Sequence, residues 1–333
     1  MKRILFYTIL LVSTLTMSAQ KAHIKGLNSI NIASAKAHIE FLAHDELEGR
    51  EAGFRGGRVA REYIISRLRE LEISPFFGDT YVQPFEAYKV DHQRKGRFQV
   101  HPDSIALLKQ DTHQALKMNN VVGFIPGKKS DEYVIVGAHY DHLGLDPYLA
   151  GDQIYNGADD NASGVSAVLQ IAKAFVLSGQ QPERNVVFAF WDGEEKGLLG
   201  SKYFVQESTI LDQIKGYLNF DMIGRNNKPD QPKHVVYFYT EAYPVFGDWL
   251  KEDIKKYKLD IEPDYRAWDK PVGGSDNGSF AKHKIPIIWY HTDGHKDYHK
   301  PTDHAEFLNW EKIVEITKAS FLNMWHMAND KSY

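Results

Sequence analysis

The stretch "VVFAFWDGEEKG", residues 186–197, is a continuous apolar run that ends in a turn and is followed by two adjacent glutamates. Six apolar residues in succession are typical of a strand that is buried on both faces, and Asp192 and Gly193 supply the turn that ends it. Such strands belong to parallel sheets that helices cover on both sides. Glu194 and Glu195 therefore arrive at the carboxyl end of a buried strand. Two acidic residues also suit the first turn of a helix, because the helix dipole favours negative charge there. The pair therefore indicates a functional site only if residues from elsewhere in the chain join it.

The same alternation of short apolar runs and helical patterns continues on both sides of this stretch. Strands are predicted at residues 133–138, 186–191, 217–220, 235–240 and 285–290, and helices at 163–179, 245–258 and 310–328. Residues 30–73 also have helical spacing, whereas residues 88–118 are polar and form a small excursion. We therefore predict an α/β fold with a mostly parallel mixed sheet and helices on both faces, a three-layer sandwich. Residues 20–333 contain no repeat or linker, which favours a single domain.

The bulk composition is that of an ordinary globular protein. Of the 333 residues, 40 are Lys or Arg and 44 are Asp or Glu, which gives a formal net charge of −4. The chain therefore lacks the basic excess that is typical of nucleic-acid-binding proteins. It also has no cysteine, so it forms no disulfide, and any bound metal must rest on His, Asp and Glu side chains.

The first 19 residues have the features of a signal peptide. Lys2 and Arg3 precede an apolar run over residues 4–15, and Met-Ser-Ala at residues 17–19 offers a cleavage site. A membrane anchor is the alternative, but this run is shorter than the roughly 20 apolar residues that span a bilayer. We therefore expect export to the periplasm or the medium, with cleavage after Ala19 and no membrane span afterwards.

Side chains that can bind a metal follow four of the predicted strands. They are His139 and Asp141 after strand 133–138, Glu194 and Glu195 after strand 186–191, Asp221 after strand 217–220, and His291, His295, His299 and His304 after strand 285–290. The loop "YNGADDNASG" (155–164) adds Asp159 and Asp160. Open α/β sheets bind ligands at the carboxyl ends of their strands, so these side chains are expected at one edge. Each residue alone fits a buried histidine, a helix cap or a solvated loop, but the joint pattern indicates a metal centre.

The types of donor define the chemistry of such a centre. Two imidazoles and three carboxylates, one of them shared, make two sites that each hold one imidazole and two carboxylate contacts. Nitrogen and oxygen donors of this kind suit zinc, with manganese or cobalt as substitutes. If one of two adjacent glutamates binds a metal, the other is free to take a proton from water. The pattern therefore predicts a metal site with a general base beside it.

Five motifs, in this order along the chain, resemble those of a known family. "HYD" (139–141), "GADDNASG" (157–164), "WDGEEKGLLGS" (191–201), "NFDMIG" (219–224) and "YHKPTD" (298–303) are similar to the motif set of the M28 zinc peptidases, the bacterial leucyl-type aminopeptidases and their relatives. "FLAHDELEGREAG" (41–53) also resembles the amino-terminal region of exported members. The resemblance implies the zinc-aminopeptidase sandwich, which is phosphorylase/hydrolase-like. The excursion at 88–118 is too short for the protease-associated domain that some members carry as an insertion.

The resemblance also implies the ligands of two zinc ions. The ligands would be His139 and Asp221 for one ion, and Glu195 and His299 for the other. Asp160 would bridge both ions, rather than Asp159, because the family's bridging aspartate directly precedes the residue that matches Asn161. The peptide bond between these two residues is often cis in the family.

Three further roles follow from the same resemblance. Glu194 would be the general base and proton shuttle. Asp141 would accept the other N–H of the His139 imidazole, and Tyr298 would help to hold the oxyanion, although a packed aromatic is an equal alternative for Tyr298. His291, His295 and His304 are expected to be loop residues, and of these His295 is the one expected to touch the substrate. The loop at 142–155 is expected to shape the pocket.

The implied activity is that of an exported aminopeptidase, which would hydrolyse the first peptide bond of peptides that have a free amino terminus. A water between the zinc ions would lose its proton to Glu194 and attack the peptide carbonyl. Three alternatives stay open. A glutaminyl cyclase of the same family would hold one zinc, and a carboxypeptidase or dipeptidase would need an arginine for a terminal carboxylate, for which only Arg225 lies near the motifs. A non-catalytic binding protein on this fold should have lost metal ligands. The preferred side chain of the substrate and the oligomeric state are not encoded in these motifs.

Overall fold

The computed structural model describes residues 22–90, 97–110, 112–268 and 274–333. The predicted signal peptide at residues 1–19 lies outside these ranges. In the described part of the chain, no helix combines the length and the apolar character that crossing a membrane requires.

One large mixed sheet forms the centre of the molecule. Its strands are β1 (Ser74–Pro75), β2 (Val82–Val90), β3 (His113–Ile125), β4 (Lys129–His139), β7 (Arg184–Trp191), β8 (Ile214–Phe220), β9 (His234–Tyr239), β10 (Glu262–Ala267) and β11 (Ile287–His291). Their order is β1-β3-β7-β4-β8-β11-β9-β10, and β2 pairs with β3. Two short strands, β5 (Gly144–Leu145) and β6 (Ile154–Tyr155), pair with each other outside this sheet.

The four central strands run parallel to one another. β4 lies between β7 and β8, and β8 pairs in turn with β11. The register of β4 and β7 sets His139 beside Trp191, the last residues of the two strands. The carboxyl ends of all four strands therefore meet at one edge of the sheet. Antiparallel pairing begins at the margins, where β3 joins β7 and β9 joins β11.

Helices cover both faces of this sheet, as predicted. They are α1 (Ile32–Leu42), α2 (Arg55–Glu70), α3 (Pro102–Leu108), α4 (Gly164–Ser178), α5 (Leu199–Glu207), α6 (Val245–Tyr257), α7 (Asn277–Ala281) and α8 (Trp310–Asn329). Alternate side chains of β4 enter different cores, because the side chains of a strand point to opposite faces in turn. Val134 and Val136 pack in the core that includes α1, α4 and α8, and Ile135 packs in the core that includes Phe204 of α5 and Phe280 of α7. The α/β prediction is confirmed.

The polar excursion at 88–118 has more regular structure than its sequence pattern indicated. β2 and β3 form an antiparallel ladder from Val82 opposite Val121 to Val90 opposite His113, and α3 lies between the two strands in sequence. Residues 113–117 of β3 and all residues of β10, at the other edge, are exposed or half-buried. These parts of the sheet bury few side chains, which is why they lack the apolar runs that mark the central strands.

Candidate metal centre

The first donor group forms where β4 and β8 end. His139 is the last residue of β4, and Asp221 follows the last residue of β8. The imidazole Nε2 of His139 lies 3.4 Å from Oδ1 of Asp160 and 3.7 Å from Oδ1 of Asp221. All three side chains are largely buried. The donors that the sequence assigned to one ion are thus brought together.

The second donor group uses the other oxygen of Asp160. The Nε2 atom of His299 lies 3.2 Å from Oδ2 of Asp160 and 3.2 Å from Oε2 of Glu195. Burial alone would lower the pKa of His299, but its hydrogen bonds to Asp160 and Glu195 raise that pKa to about 10. Asp160 therefore presents one oxygen to each donor group, which is the arrangement that a bridging carboxylate requires.

The loop before α4 holds Asp160 in this position. The Asp160–Asn161 peptide bond is cis. The Asn161 side-chain amide donates to the carbonyl oxygen of Phe220 at 2.8 Å, which ties the loop to the end of β8. Asp159 faces away from the donor groups, because its carboxylate accepts the backbone N–H groups of Gly224 and Arg225. Asp160, and not Asp159, therefore faces the two donor groups.

Asp141 makes contacts other than the expected one. The nearest acceptor for Nδ1 of His139 is the backbone carbonyl oxygen of Asp141, at 3.2 Å, whereas the Asp141 carboxylate is 3.7 Å away. That carboxylate instead accepts the backbone N–H of Glu194 at 3.0 Å and of Glu195 at 3.3 Å. The Asp141 carboxylate thus holds the turn that carries both glutamates, and its expected contact with the His139 imidazole stays a prediction.

Glu194 lies beside both donor groups. Burial raises the pKa of its carboxyl group well above the usual value, and the neighbouring Asp221 and Glu195 act in the same direction, while His139 opposes them. A carboxylate with a raised pKa is a stronger proton acceptor than an exposed glutamate. Its position thus suits the predicted role in proton transfer.

Tyr298 stacks on the ring of His299, with 3.8 Å between the ring centroids, and its side chain is partly exposed. Burial and the carboxylate of Asp160 raise the pKa of its phenol, so the hydroxyl stays protonated and can donate a hydrogen bond.

His295 is not at the surface of the centre, since its buried ring lies 3.4 Å from Asp159. His304 is 3.0 Å from Asp152.

The donor set fits metal ions. Zinc bonds to imidazole nitrogen and carboxylate oxygen are about 2.0–2.2 Å long, so donors around one tetrahedral ion lie about 3.3–3.6 Å apart. The nitrogen–oxygen separations of 3.2 to 3.7 Å for His139 and His299 agree with this spacing. Within the described ranges, two groups of side chains bring their donor atoms close together: His139, Asp160 and Asp221, and His142, Asp160 and Glu195.

Two residues of the centre were missed by the sequence analysis. The first is His142, whose Nδ1 atom lies 2.7 Å from Oε1 of Glu195 and 3.8 Å from Oδ2 of Asp160. Its position three residues after His139, at the same strand end, was the signal that could have identified it. The sequence analysis instead placed it in a loop that shapes the pocket.

The second missed residue is Arg50, which precedes α2 and is almost fully buried. Its guanidinium group donates to backbone carbonyl oxygens at 2.6 to 2.9 Å, those of Leu42, Tyr140, Asn156 and Gly157. Burial lowers the pKa of Arg50 to about 10, so the group remains charged at neutral pH. The adjacent Glu51 forms an ion pair with Lys196, at 2.8 Å, which ties the amino-terminal segment to the turn that carries Glu194 and Glu195. The amino-terminal segment thus places a buried cation beneath the carboxylates of the centre.

Comparisons with known proteins agree with this geometry. The family model of peptidase family M28 matches residues 120–324, more than half of the chain. The chain is 32% identical over 170 residues to leupeptin-inactivating enzyme 1 of Streptomyces exfoliatus, covering 50% of this chain and 34% of that protein. It is 37% identical over 172 residues to leucine aminopeptidase 2 of Trichophyton equinum, covering 50% and 32%. The chain thus matches about a third of the length of these curated relatives.

Solved structures share the fold at lower sequence identity. A zinc aminopeptidase from Bacillus subtilis superposes with a TM-score of 0.68 and 17% identity, covering 91% of this chain and 97% of that one. A glutaminyl cyclase from Porphyromonas gingivalis superposes with a TM-score of 0.61 and 16% identity, covering 89% and 98%. Likenesses at these identities show the fold alone. With the family match over residues 120–324, the conclusion is that this chain belongs to peptidase family M28.

Proposed function

We propose that this protein is an exported two-zinc aminopeptidase that removes the first residue from peptides with a free amino terminus. The observation that carries the proposal is the position of Asp160, whose two oxygens face two different imidazoles, those of His139 and His299. A shared carboxylate between two such donor groups, with Glu194 beside them, is the arrangement of a two-metal hydrolytic site. Family membership supports peptide hydrolysis as the reaction class.

Each side chain of this site has its own role in the proposed reaction. When bound, the two ions would polarise the peptide carbonyl and lower the pKa of a water molecule. Glu194 accepts a proton from this water, whose oxygen joins the carbonyl carbon. The same carboxyl group then passes the proton to the amine nitrogen as the carbon–nitrogen bond breaks. The Tyr298 hydroxyl, at the rim of the site, donates a hydrogen bond to the oxygen on which negative charge develops.

The alternatives have less support from the contacts. A carboxypeptidase needs a free arginine for the terminal carboxylate, but Arg225 is buried, pairs with Asp297 at 2.5 Å and lies over the ring of Phe307. A non-catalytic binding protein has no need for two complete donor groups. A glutaminyl cyclase shares the fold, so the number of ions decides between it and the aminopeptidase; the second donor group, with His299 and Glu195, favours two.

The first test is to count the bound metal and to assay the purified protein on a panel of amino-acid p-nitroanilides beside a peptide that begins with glutamine. We expect about two zinc ions per chain and release of the first residue. Glu194→Gln should lower kcat by about 10²–10⁴-fold while the metal stays bound, because the base is lost and the proposed ligands remain. Glu207→Gln changes an exposed glutamate of α5 and is the matched control.

Other outcomes would replace the proposal. One zinc with ring closure of the glutaminyl peptide would indicate a cyclase, and no metal with no turnover would indicate the binding protein. Export is supported by the signal-like residues 1–19, and mass spectrometry of the mature protein would contradict it if the chain still began at Met1.

A further inference from the structure

The imidazoles of His142 and His299 approach different oxygens of the Glu195 carboxylate. Nδ1 of His142 lies 2.7 Å from Oε1 of Glu195, which is a hydrogen-bond distance and is too short for two ligands of one ion. His299 lies 3.2 Å from the other oxygen, Oε2. The two oxygens of Glu195 thus have different partners, one at hydrogen-bond distance and one at the spacing of metal ligands.

The surroundings of His142 indicate which ring nitrogen carries the proton. The ring is buried, and in the described part of the chain its Nε2 atom has no hydrogen-bond partner. A proton on Nε2 would therefore be a buried donor without an acceptor, whereas a proton on Nδ1 is donated to a carboxylate. The second arrangement is the favourable one, so Nδ1–H is the donor to Glu195.

The ring is also held in this orientation. A Cβ atom at Gly157 would lie 2.5 Å from Cδ2 of the His142 ring, so the ring packs directly against the glycine backbone. The ring of His299 approaches on another side, at 6.0 Å between centroids and with an interplanar angle of 63°. The backbone N–H of His142 donates to the carbonyl oxygen of Arg50 at 3.3 Å. These contacts leave little room for the imidazole to turn away from Glu195.

We propose that His142 is a positioning residue for the second metal site. Its Nδ1–H holds Oε1 of Glu195, so that only Oε2 is turned toward Asp160 and His299. The strand end "HYDH" (139–142) then serves both sites, because His139 contributes to the first and His142 orients a donor of the second. This inference rests on the proposed two-zinc function, and the experiment below separates the two.

The experiment compares zinc binding by the full chain and four variants, after removal of metal with a chelator, by isothermal titration calorimetry. His142→Asn keeps an N–H donor where Nδ1 lies, whereas His142→Gln moves the donor to where Nε2 lies, and His142→Leu removes it. Orienting partners of metal ligands typically contribute about 10–100-fold to metal affinity. We expect His142→Gln and His142→Leu to weaken one of two sites by this factor, and His142→Asn to retain it within about threefold. His304→Asn is the matched control, because His304 contacts Asp152 and not Glu195.

The outcomes are distinguishable. If the unaltered chain binds two zinc ions and His142→Leu and His142→Gln bind both equally well, the inference about His142 is wrong and the proposed function stands. Equal loss in all three His142 variants would also overturn it, because His142 would then be a direct ligand. If the unaltered chain binds fewer than two ions, the proposed function itself fails. Thermal unfolding of each chelated variant shows whether it is folded, and the comparison of Asn with Gln at this position retains the test if the Leu variant is not.

Discussion

Arg50 is a buried cation beside the candidate metal centre. Its guanidinium group bonds to the carbonyl oxygen of Tyr140, which lies between His139 and Asp141, and to that of Gly157, which precedes the bridging loop. Its positive charge lies close enough to Asp160 and Asp141 for both carboxylates to raise the pKa of the guanidinium, against the effect of burial. One side chain therefore orders two loops of the centre and offsets part of their negative charge.

Arg50→Gln is expected to lower the free energy of unfolding by about 3 kcal/mol, because several buried carbonyl oxygens lose a charged donor. Zinc affinity should fall as well, since the loops that carry His139 and Asp160 lose a common support. Urea unfolding and zinc titration measure the two effects. Arg55→Gln, at a nearby exposed arginine that pairs with Glu48, is the control and should change neither. Unaltered zinc affinity in folded Arg50→Gln would show that the guanidinium plays no part in the centre.

The contrast between predicted and missed residues has a physical basis. His139, Asp221 and the Glu194–Glu195 pair follow apolar strands, so the sheet pattern alone places them at one edge. The contacts of Arg50 depend on how an amino-terminal segment packs on loops that lie about a hundred residues later in the chain. Neither periodicity nor motif spacing reports such packing.

At the scale of elements, the central strands and the long helices were predictable because they bury continuous apolar runs. α4 was predicted to end at Gly179, and Gly179 does follow its last residue with a φ of 68°. β10 was not predicted, because its residues "EPDYRA" include a proline and are half-exposed at the edge of the sheet. Sequence periodicity therefore describes buried elements well and edge elements poorly.

His326 joins two helices on one face of the sheet. It lies on α8, and its ring stacks on Trp249 of α6 with 4.9 Å between centroids. Its two nitrogens contact Asp253 of α6 at 3.2 Å and Asp330 at 3.1 Å. Burial alone would lower the pKa of His326, but these carboxylates raise it from 6.5 to about 9.

The raised pKa predicts a pH dependence of stability. Because the pKa is higher in the folded state, the ionic contact stabilises the protein fully below about pH 6.5 and is lost as the pH rises through about 9. Asp253→Asn should therefore lower the free energy of unfolding by about 2 kcal/mol at pH 6 and by much less at pH 10. Urea unfolding across this range measures the difference, with Asp248→Asn, an exposed aspartate of α6, as control. A difference that is constant with pH would contradict the assignment.

At the scale of the whole molecule, one edge of the sheet carries more negative than positive charge. The carboxylates of Asp141, Asp160, Glu194, Glu195 and Asp221 converge there. Metal ions would bind this folded arrangement and not the extended chain, so they should stabilise the fold as a whole. Bound metal would thus link the proposed catalysis to global stability.

Removal of metal with a chelator is expected to abolish activity and to lower the melting temperature, and added zinc should restore both. Each site should contribute about 2.7 kcal/mol when free zinc is present at 100 times its dissociation constant. Differential scanning calorimetry with and without chelator measures the effect, and magnesium serves as the control ion, because imidazole donors suit it poorly. An unchanged melting temperature would mean that the carboxylates are accommodated without metal.

Arg50 contacts loops that lie far along the chain, and this affects how related proteins should be compared. The family match begins at residue 120, so it does not include the residue that lies beneath the centre. Two proteins can therefore agree at every aligned ligand and still differ in the cation that supports those ligands. An alignment limited to the matched residues does not report that difference. To learn whether a relative has this arginine, the amino-terminal segment has to be aligned as well.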